Sequence, residues 1–472
     1  MIRIHSPWER SHGTRDRRTR YLPLAAVAAV ILGVLAAAPA NATTGGGASG
    51  HALPPTTRFA LHQPSADAVK QVASLVRQRQ LHDAALIGAE LATPQADWFT
   101  KGTPATVRRQ VNQTVTIANA LGRTPTLVIY YVPGRDCSQY SSGGAASDAD
   151  YRAWIDAFVS GLGRGKAVVV VEPDGLANLP SDCASAYPGQ DVDALTTSRL
   201  ADIKYAADTL ENRAPNASIY LDAGNSAWLN VGEITRRLLL ADVNTVNGFA
   251  LNVSNYQYTV NSDDYGTWVA ECLAYATTVS PGGYDSCPNQ YWNGGPSNNW
   301  TGVALDRYQP WSSTAVDDPT HYTGAIDERF SSMLNGVVPT AHFIVDTSRN
   351  GRGPNDMSAY AAAPYNQPAS VISALQNGGW CNPPGAGLGH RPTASTGVPL
   401  VDAYLWVKNP GESDGQCNIA GGARSWDYSQ YNPWNWDTAA QQQNDPLWGI
   451  TDPAAGAWFP QQALQLARNA QG

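Results

Sequence analysis

Along this chain, apolar residues gather into short runs, and polar clusters follow them closely. The clearest run is Val168-Val169-Val170-Val171, followed at once by Glu172-Pro173-Asp174. Four β-branched residues are too few for a helix and read as a strand buried on both faces, as the strands of parallel sheets are. Pro173 has no N–H to give to a ladder, so pairing stops there and Asp174 falls in the loop at the carboxyl end of the strand. In α/β architectures that end of the sheet carries the chemistry.

Similar runs occupy 126–132, 218–221, 248–253, 342–345 and 402–407, with helix-like segments between them. This alternation predicts a parallel sheet with crossover helices. The first run is followed by Arg135 and Asp136, and the others by Asp222, by Asn252 and Asn255, by Asp346 and Arg349, and by Lys408, Glu412 and Asp414. One acid after one strand is an ordinary cap or turn residue. Repeated at strand end after strand end, charged and amide groups predict a wide acidic cleft at the carboxyl end of a parallel α/β barrel or sheet. Upstream, Val69, Val72, Leu75 and Val76 fall at helical spacing after Ser65 and predict a capped helix over 65–80. Ala84-Ala85-Leu86-Ile87 predicts a strand leading towards Trp98. Segment 256–340, rich in Gly, Pro, Asn, Asp and Trp, reads as a long irregular insertion between two strands, and 460–470 reads as a closing helix. No repeat is evident at solenoid periods.

The N-terminus changes the setting. Arg15, Arg17, Arg18 and Arg20 precede an apolar run over 21–38 and then Ala40-Asn41-Ala42, the A-x-A pattern of a cleaved secretory signal. We expect 1–42 to be removed, 43–55 to be a flexible leader, and 56–472 to be one domain that is exported and monomeric. Arg17-Arg18 also fits a twin-arginine signal. No second long apolar stretch could hold the protein in a membrane. Without 1–42 the chain loses six of its 31 Lys and Arg and two of its 39 Asp and Glu, leaving 25 against 37, a net charge of −12. Nucleic-acid partners need the opposite sign. The 15 Trp and 21 Tyr suggest a sugar partner, because flat rings cover apolar sugar faces, although many such rings belong to any core. The six cysteines, an even count without C-x-x-C, suggest disulfides rather than zinc. Pairing in chain order is the expectation: Cys137 with Cys183, Cys272 with Cys287, and Cys381 with Cys417.

Six stretches carry a family resemblance. They are Tyr130-Tyr131-Val132-Pro133-Gly134-Arg135-Asp136-Cys137, Val171-Glu172-Pro173-Asp174-Gly175-Leu176, Tyr220-Leu221-Asp222-Ala223-Gly224, Asn252-Val253-Ser254-Asn255-Tyr256, Asp346-Thr347-Ser348-Arg349-Asn350-Gly351 and 406–415 with Lys408, Glu412 and Asp414. Together, and in this order, they resemble the cellulases of glycoside hydrolase family 6. The resemblance implies a distorted, seven-stranded α/β barrel and inverting hydrolysis of β-1,4-glucosidic bonds without metal or cofactor. It also implies roles. Asp174 is the general acid, Asp136 the helper whose negative charge keeps the proton on it, and Asp222 a supporting acid. Tyr130 lies beneath the distorted sugar. Asp414 is the base, or else water is relayed through Ser142. Trp98, Trp228 and Trp380 stack on sugars, while Lys408, Glu412 and Asn255 contact hydroxyls. Where the family commonly has histidine after Asp-Ala-Gly, this chain has Asn225.

A cell-wall glycan-binding protein would use the aromatics but has no need of converging acids. A carboxylate metal site lacks H-E-x-x-H or an EF-hand loop. Gly411-Glu412-Ser413-Asp414-Gly415 fits the esterase elbow G-x-S-x-G, yet no histidine follows Ser413. Cys417, directly after the Asp414 motif, resembles the endo-acting branch, with exo action as the alternative.

Overall fold

The computed structural model describes residues 53–292, 302–437 and 441–471. The proposed signal and nearly all of the leader lie outside them. Seven strands, β1 (Asp97–Phe99), β2 (Thr126–Ile129), β3 (Ala167–Val171), β4 (Ala217–Asp222), β5 (Gly248–Leu251), β6 (His342–Asp346) and β7 (Val401–Leu405), pair in chain order, and every pairing is parallel. The sheet curls into a distorted barrel. At its seam Ala96 N donates to Trp406 O at 3.1 Å and the Trp98 indole N–H to Val407 O at 2.7 Å.

Strand alternation sorts the core into two layers. Val169, Val171, Leu127, Ile129, Ile219, Leu221, Phe249 and Phe343 face the surrounding helices, whereas Val168, Val170, Val128, Tyr220, Ala250, Ile344 and Ala403 fill the interior. Both sides of β3 are therefore dry, which is why its sequence is an unbroken run rather than an alternation. The helices are α1 (Ala66–Arg77), α2 (Leu81–Leu91), α3 (Pro104–Ala120), α4 (Asp148–Leu162), α5 (Val192–Arg213), α6 (Val231–Leu240), α7 (Thr259–Ala274), α8 (Gly324–Leu334), α9 (Ala369–Asn377) and α10 (Pro460–Arg468). Ser65 caps α1, its hydroxyl accepting from Ala68 N. Val72 and Leu75 of that helix are buried while Val69 and Val76 stay exposed. Among the described residues no helix is long and apolar enough to cross a membrane.

Two expectations are corrected. Ala84-Ala85-Leu86-Ile87 is not a strand but the middle of α2. Its buried positions, Ala84 and Ile87, are one helical turn apart and pack with Leu466 of α10. Four apolar residues are ambiguous between the two periods, and Ala and Leu are helix formers without β-branching. The first strand comes later and is only three residues long, with Trp98 at its centre. Segment 256–340 is not irregular throughout, because α7 and α8 form the crossover from β5 to β6. The buried face of α7, Tyr265, Trp268, Val269, Cys272 and Leu273, has helical spacing that its polar neighbours Asn261, Ser262 and Asp263 obscure. The disulfides are Cys137–Cys183, Cys272–Cys287 and Cys381–Cys417.

The helical assignment of α2 makes a prediction. Ile87→Ala should lower the free energy of unfolding by roughly 2–5 kcal/mol, and the exposed Ala85→Gly by about 1 kcal/mol, the cost of glycine inside a helix. Shifts in denaturant midpoint measure both, and a neutral Ala85→Gly would contradict the helix.

Candidate active site

The strand ends at one mouth of the barrel are stitched together by buried carboxylates. Glu172, held at φ 50°, turns inward and accepts the N–H groups of Tyr131 at 3.0 Å and Val132 at 3.1 Å, joining the ends of β2 and β3. Asp222 at the end of β4 accepts from Asp174 N at 2.9 Å and Gly224 N at 3.0 Å. Asp346 at the end of β6 accepts from Ser254 N at 3.1 Å, Lys408 N at 2.9 Å and Ser348 N at 2.9 Å, bringing in the segments after β5 and β7. Polar groups buried this deeply need partners, and the loop amides supply them.

Above these stitches lies a cleft of about 740 Å³. Asp136, Asp174, Asp414, Tyr130, Ser142, Trp98, Trp228, Asn255, Trp380, Lys408 and Glu412 all line it. Asp222 does not: it is buried beneath the cleft and holds the backbone of Asp174. Asp136 (φ 59°), Cys137 (φ 45°) and Asp174 (φ 64°) adopt the left-handed region, a strain found where a structure fixes a side chain against local preference. The loop of Asp136 is further secured by Ser141 N donating to its carboxylate at 2.6 Å and by Arg135 Nε donating to Ser141 O at 2.8 Å. Arg135 also lies over Tyr130, 4.5 Å from its ring centre, and Trp98 meets Tyr130 edge to face at 5.6 Å.

Asp414 is held most tightly. Its Oδ2 accepts from Arg349 Nη1 at 2.8 Å, the Tyr256 hydroxyl at 3.1 Å and Asn382 N at 3.0 Å, and Lys408 Nζ is 3.4 Å from Oδ1. Asn382 returns the contact, its Oδ1 accepting from Asp414 N at 2.9 Å, and its amide reaches Asp452 at 2.9 Å. Gly415 follows at φ 148°, where a Cβ would stand 2.4 Å from Tyr140, so only glycine lets that ring close on the loop. Tyr256 and Asn382 were not singled out as site residues in the sequence. Tyr256 ends one of the quoted motifs, and Asn382 directly follows Trp380-Cys381, so adjacency was the available signal.

Residues 55–470 match the model of the glycosyl hydrolases family 6. The chain belongs to this family. It is 31% identical over 390 residues to endoglucanase A of Cellulomonas fimi, which covers 82% of this chain and 57% of that protein. It is 30% identical over 383 residues to a probable 1,4-β-D-glucan cellobiohydrolase C of Aspergillus niger, covering 75% of this chain and 63% of that one. The chain thus spans less than two thirds of the length of either relative. Among solved structures it is similar to the endoglucanase Cel6 from Mycobacterium tuberculosis in complex with methyl-cellobiosyl-4-deoxy-4-thio-β-D-cellobioside, with 30% identity and a TM-score of 0.55. That match covers 88% of this chain and 97% of that one.

In this family-6 chain the cleft carboxyls differ sharply in proton affinity. Burial, then the charges of Asp136 and Asp414, push Asp174 up to about 7. Burial pushes Asp136 up to about 6 against the opposing Ser141 N–H and Arg135. Burial acts to raise Asp414 too, but Arg349 and Lys408 outweigh it and hold the carboxyl below its usual range. A folded-state value above the unfolded one means that the Asp174 contribution to stability is complete below its ordinary value of 3.8 and is lost as pH rises through about 7. Asp174→Asn should therefore melt progressively higher than wild type as pH goes from about 4 to about 8. A melting-temperature difference that stays flat over that window would contradict the burial of an acid there.

Proposed function

We propose that the protein is a secreted cellulase that hydrolyses β-1,4-glucosidic bonds with inversion and cuts within the chain. The observation that carries this reading is the gathering of Asp136, Asp174 and Asp414 in one cleft walled by Trp98, Trp228 and Trp380. Inversion needs a protonated carboxyl on the leaving oxygen and a route for the proton of a water attacking from the opposite face. Asp174, raised to about 7, keeps its proton under mildly acid conditions and gives it to the departing glycosidic oxygen as the bond to the anomeric carbon breaks. Water forms the new bond to that carbon. Trp98, Trp228 and Trp380 stack on the sugars, Tyr130 supports the distorted ring, and Asn255, Lys408 and Glu412 bond hydroxyls. Asp222 keeps the backbone of Asp174 in place.

The proton released by water has two routes. Asp414 could take it directly, but its Oδ2 already accepts three bonds and two cations stabilise its charge, so its proton affinity is low. This observation favours the second route, through Ser142 and a further water to Asp136, whose value near 6 makes it the better acceptor. Over the cycle that proton replaces the one Asp174 gave up. Asp414 then serves as a fixed negative charge near the developing positive charge on the sugar.

Cutting within the chain rests on Cys417, directly after the Asp414 motif as in the endo-acting branch that the chain resembles. The test is to follow viscosity and reducing ends together on soluble cellulose. Internal cutting drops viscosity early, terminal cutting releases reducing ends at nearly constant viscosity, and a glycan-binding protein releases none. Asp174→Asn should lose roughly 10²–10⁴-fold in rate while remaining folded. Retention of more than about a tenth of the wild-type rate would remove Asp174 from the acid role.

A further inference from the structure

The cations bordering the cleft are nearly all committed to protein partners. Arg135 donates to the carbonyls of Ser141 and Thr100, and Arg349 and Lys408 are paired with Asp414. Arg307 differs. It lines the cleft, it makes no hydrogen bond or ion pair among the described residues, and its Nε is buried without an acceptor. A buried donor on a charged group is costly to leave unpartnered, so this guanidinium is suited to an acceptor that arrives from outside.

Arg307 is placed there by the crossover segment between β5 and β6. Leu305 N donates to Gln290 O at 2.8 Å, and the Gln290 amide donates to Ser226 O at 3.1 Å and Leu229 O at 2.9 Å. The Tyr291 hydroxyl donates to Trp228 O at 3.1 Å, and the charge of Arg307 acts on that same phenol. Below the guanidinium lies Tyr308, with 5.2 Å from its carbon to the ring centre. The segment is thus sewn to the loop that presents Trp228, and Arg307 stands over an aromatic floor that fixes the plane of its donors. The same loop carries Asn225, where the family resemblance anticipates histidine, so this flank of the cleft is built differently.

We propose that Arg307 forms an additional sugar-binding position on the Trp228 flank, its guanidinium donating to hydroxyl or ring oxygens of a glucosyl unit next to the one on Trp228. This rests on the cellulase reading. A neutral sugar is the ligand that fits, because the carboxylates of Asp136 and Glu412 line the same cleft and oppose an anion. A contact made to a sugar beyond the one on Trp228, and not to the reacting atoms, strengthens the binding of long chains and leaves the chemical step unchanged.

The test uses the full chain carrying Asp174→Asn, so that ligand is not consumed, and calorimetric titration with cello-oligosaccharides from cellobiose to cellohexaose. Adding Arg307→Met should weaken binding by roughly 10-fold for the longest oligosaccharides and leave the shortest unchanged, as the loss of one charged hydrogen bond requires. Arg307→Lys should recover part of the loss. In the background active at Asp174, Arg307→Met should raise KM for long substrates with kcat and the pH profile unchanged. Equal weakening at every length, or none, would overturn the assignment of Arg307. Absence of binding at all lengths even with Arg307 present would overturn the cellulase reading and the sugar position with it.

Discussion

Positive charge is distributed unevenly among the three acids of the cleft, and the proposed chemistry depends on that distribution. Arg349 and Lys408 both stand against Asp414. Among the described residues no cation pairs with Asp174, which is half-buried in the cleft wall and has instead the charges of Asp136 and Asp414 near it. The same residue type therefore favours the anion in one position and the protonated form in the other.

That distribution is maintained from below. Glu172, Asp222 and Asp346 are buried acids that use their acceptors on loop amides rather than on substrate, and each joins the ends of neighbouring strands. The strain at Glu172, Asp136 and Asp174 persists because these bonds, with the bridges Cys137–Cys183 and Cys381–Cys417, leave the loops few alternatives. Geometry of this kind matters for rate, since a misplacement of about 1 Å can cost on the order of 10²-fold. The barrel interior contributes by being dry. Val168 and Val170 pack against Tyr220 and Ile344, so the floor of the site is a rigid apolar layer.

Much of this was legible in the sequence where local chemistry decided it. The valine run of β3 and the proline after it located Asp174, and most other strand ends followed from apolar runs closed by polar residues. Legibility failed where a short segment satisfied two periods at once, as at Ala84-Ala85-Leu86-Ile87, or where polar residues hid a helical stripe, as in α7. It failed again for contacts made across the chain. Asn382 reaches Asp414 and Asp452, and Gln290 reaches Ser226, through bonds that no spacing pattern announces. Asp222 shows a subtler limit: its motif pointed to the site, yet only the fold places it beneath the cleft rather than in it.

The central claim is that Asp174 holds its proton first because it is buried and second because Asp136 is negative. The alkaline limb of kcat/KM on soluble cellulose, compared between wild type and Asp136→Asn, tests it most directly, since that limb reports the acid of the free enzyme. The account predicts a wild-type limb near 7 that moves to lower pH in the variant but stays above the ordinary carboxyl value, because burial remains. A limb unmoved by the variant, with only a uniform fall in rate, would contradict the electrostatic role of Asp136, and a wild-type limb near 4 would contradict the account as a whole.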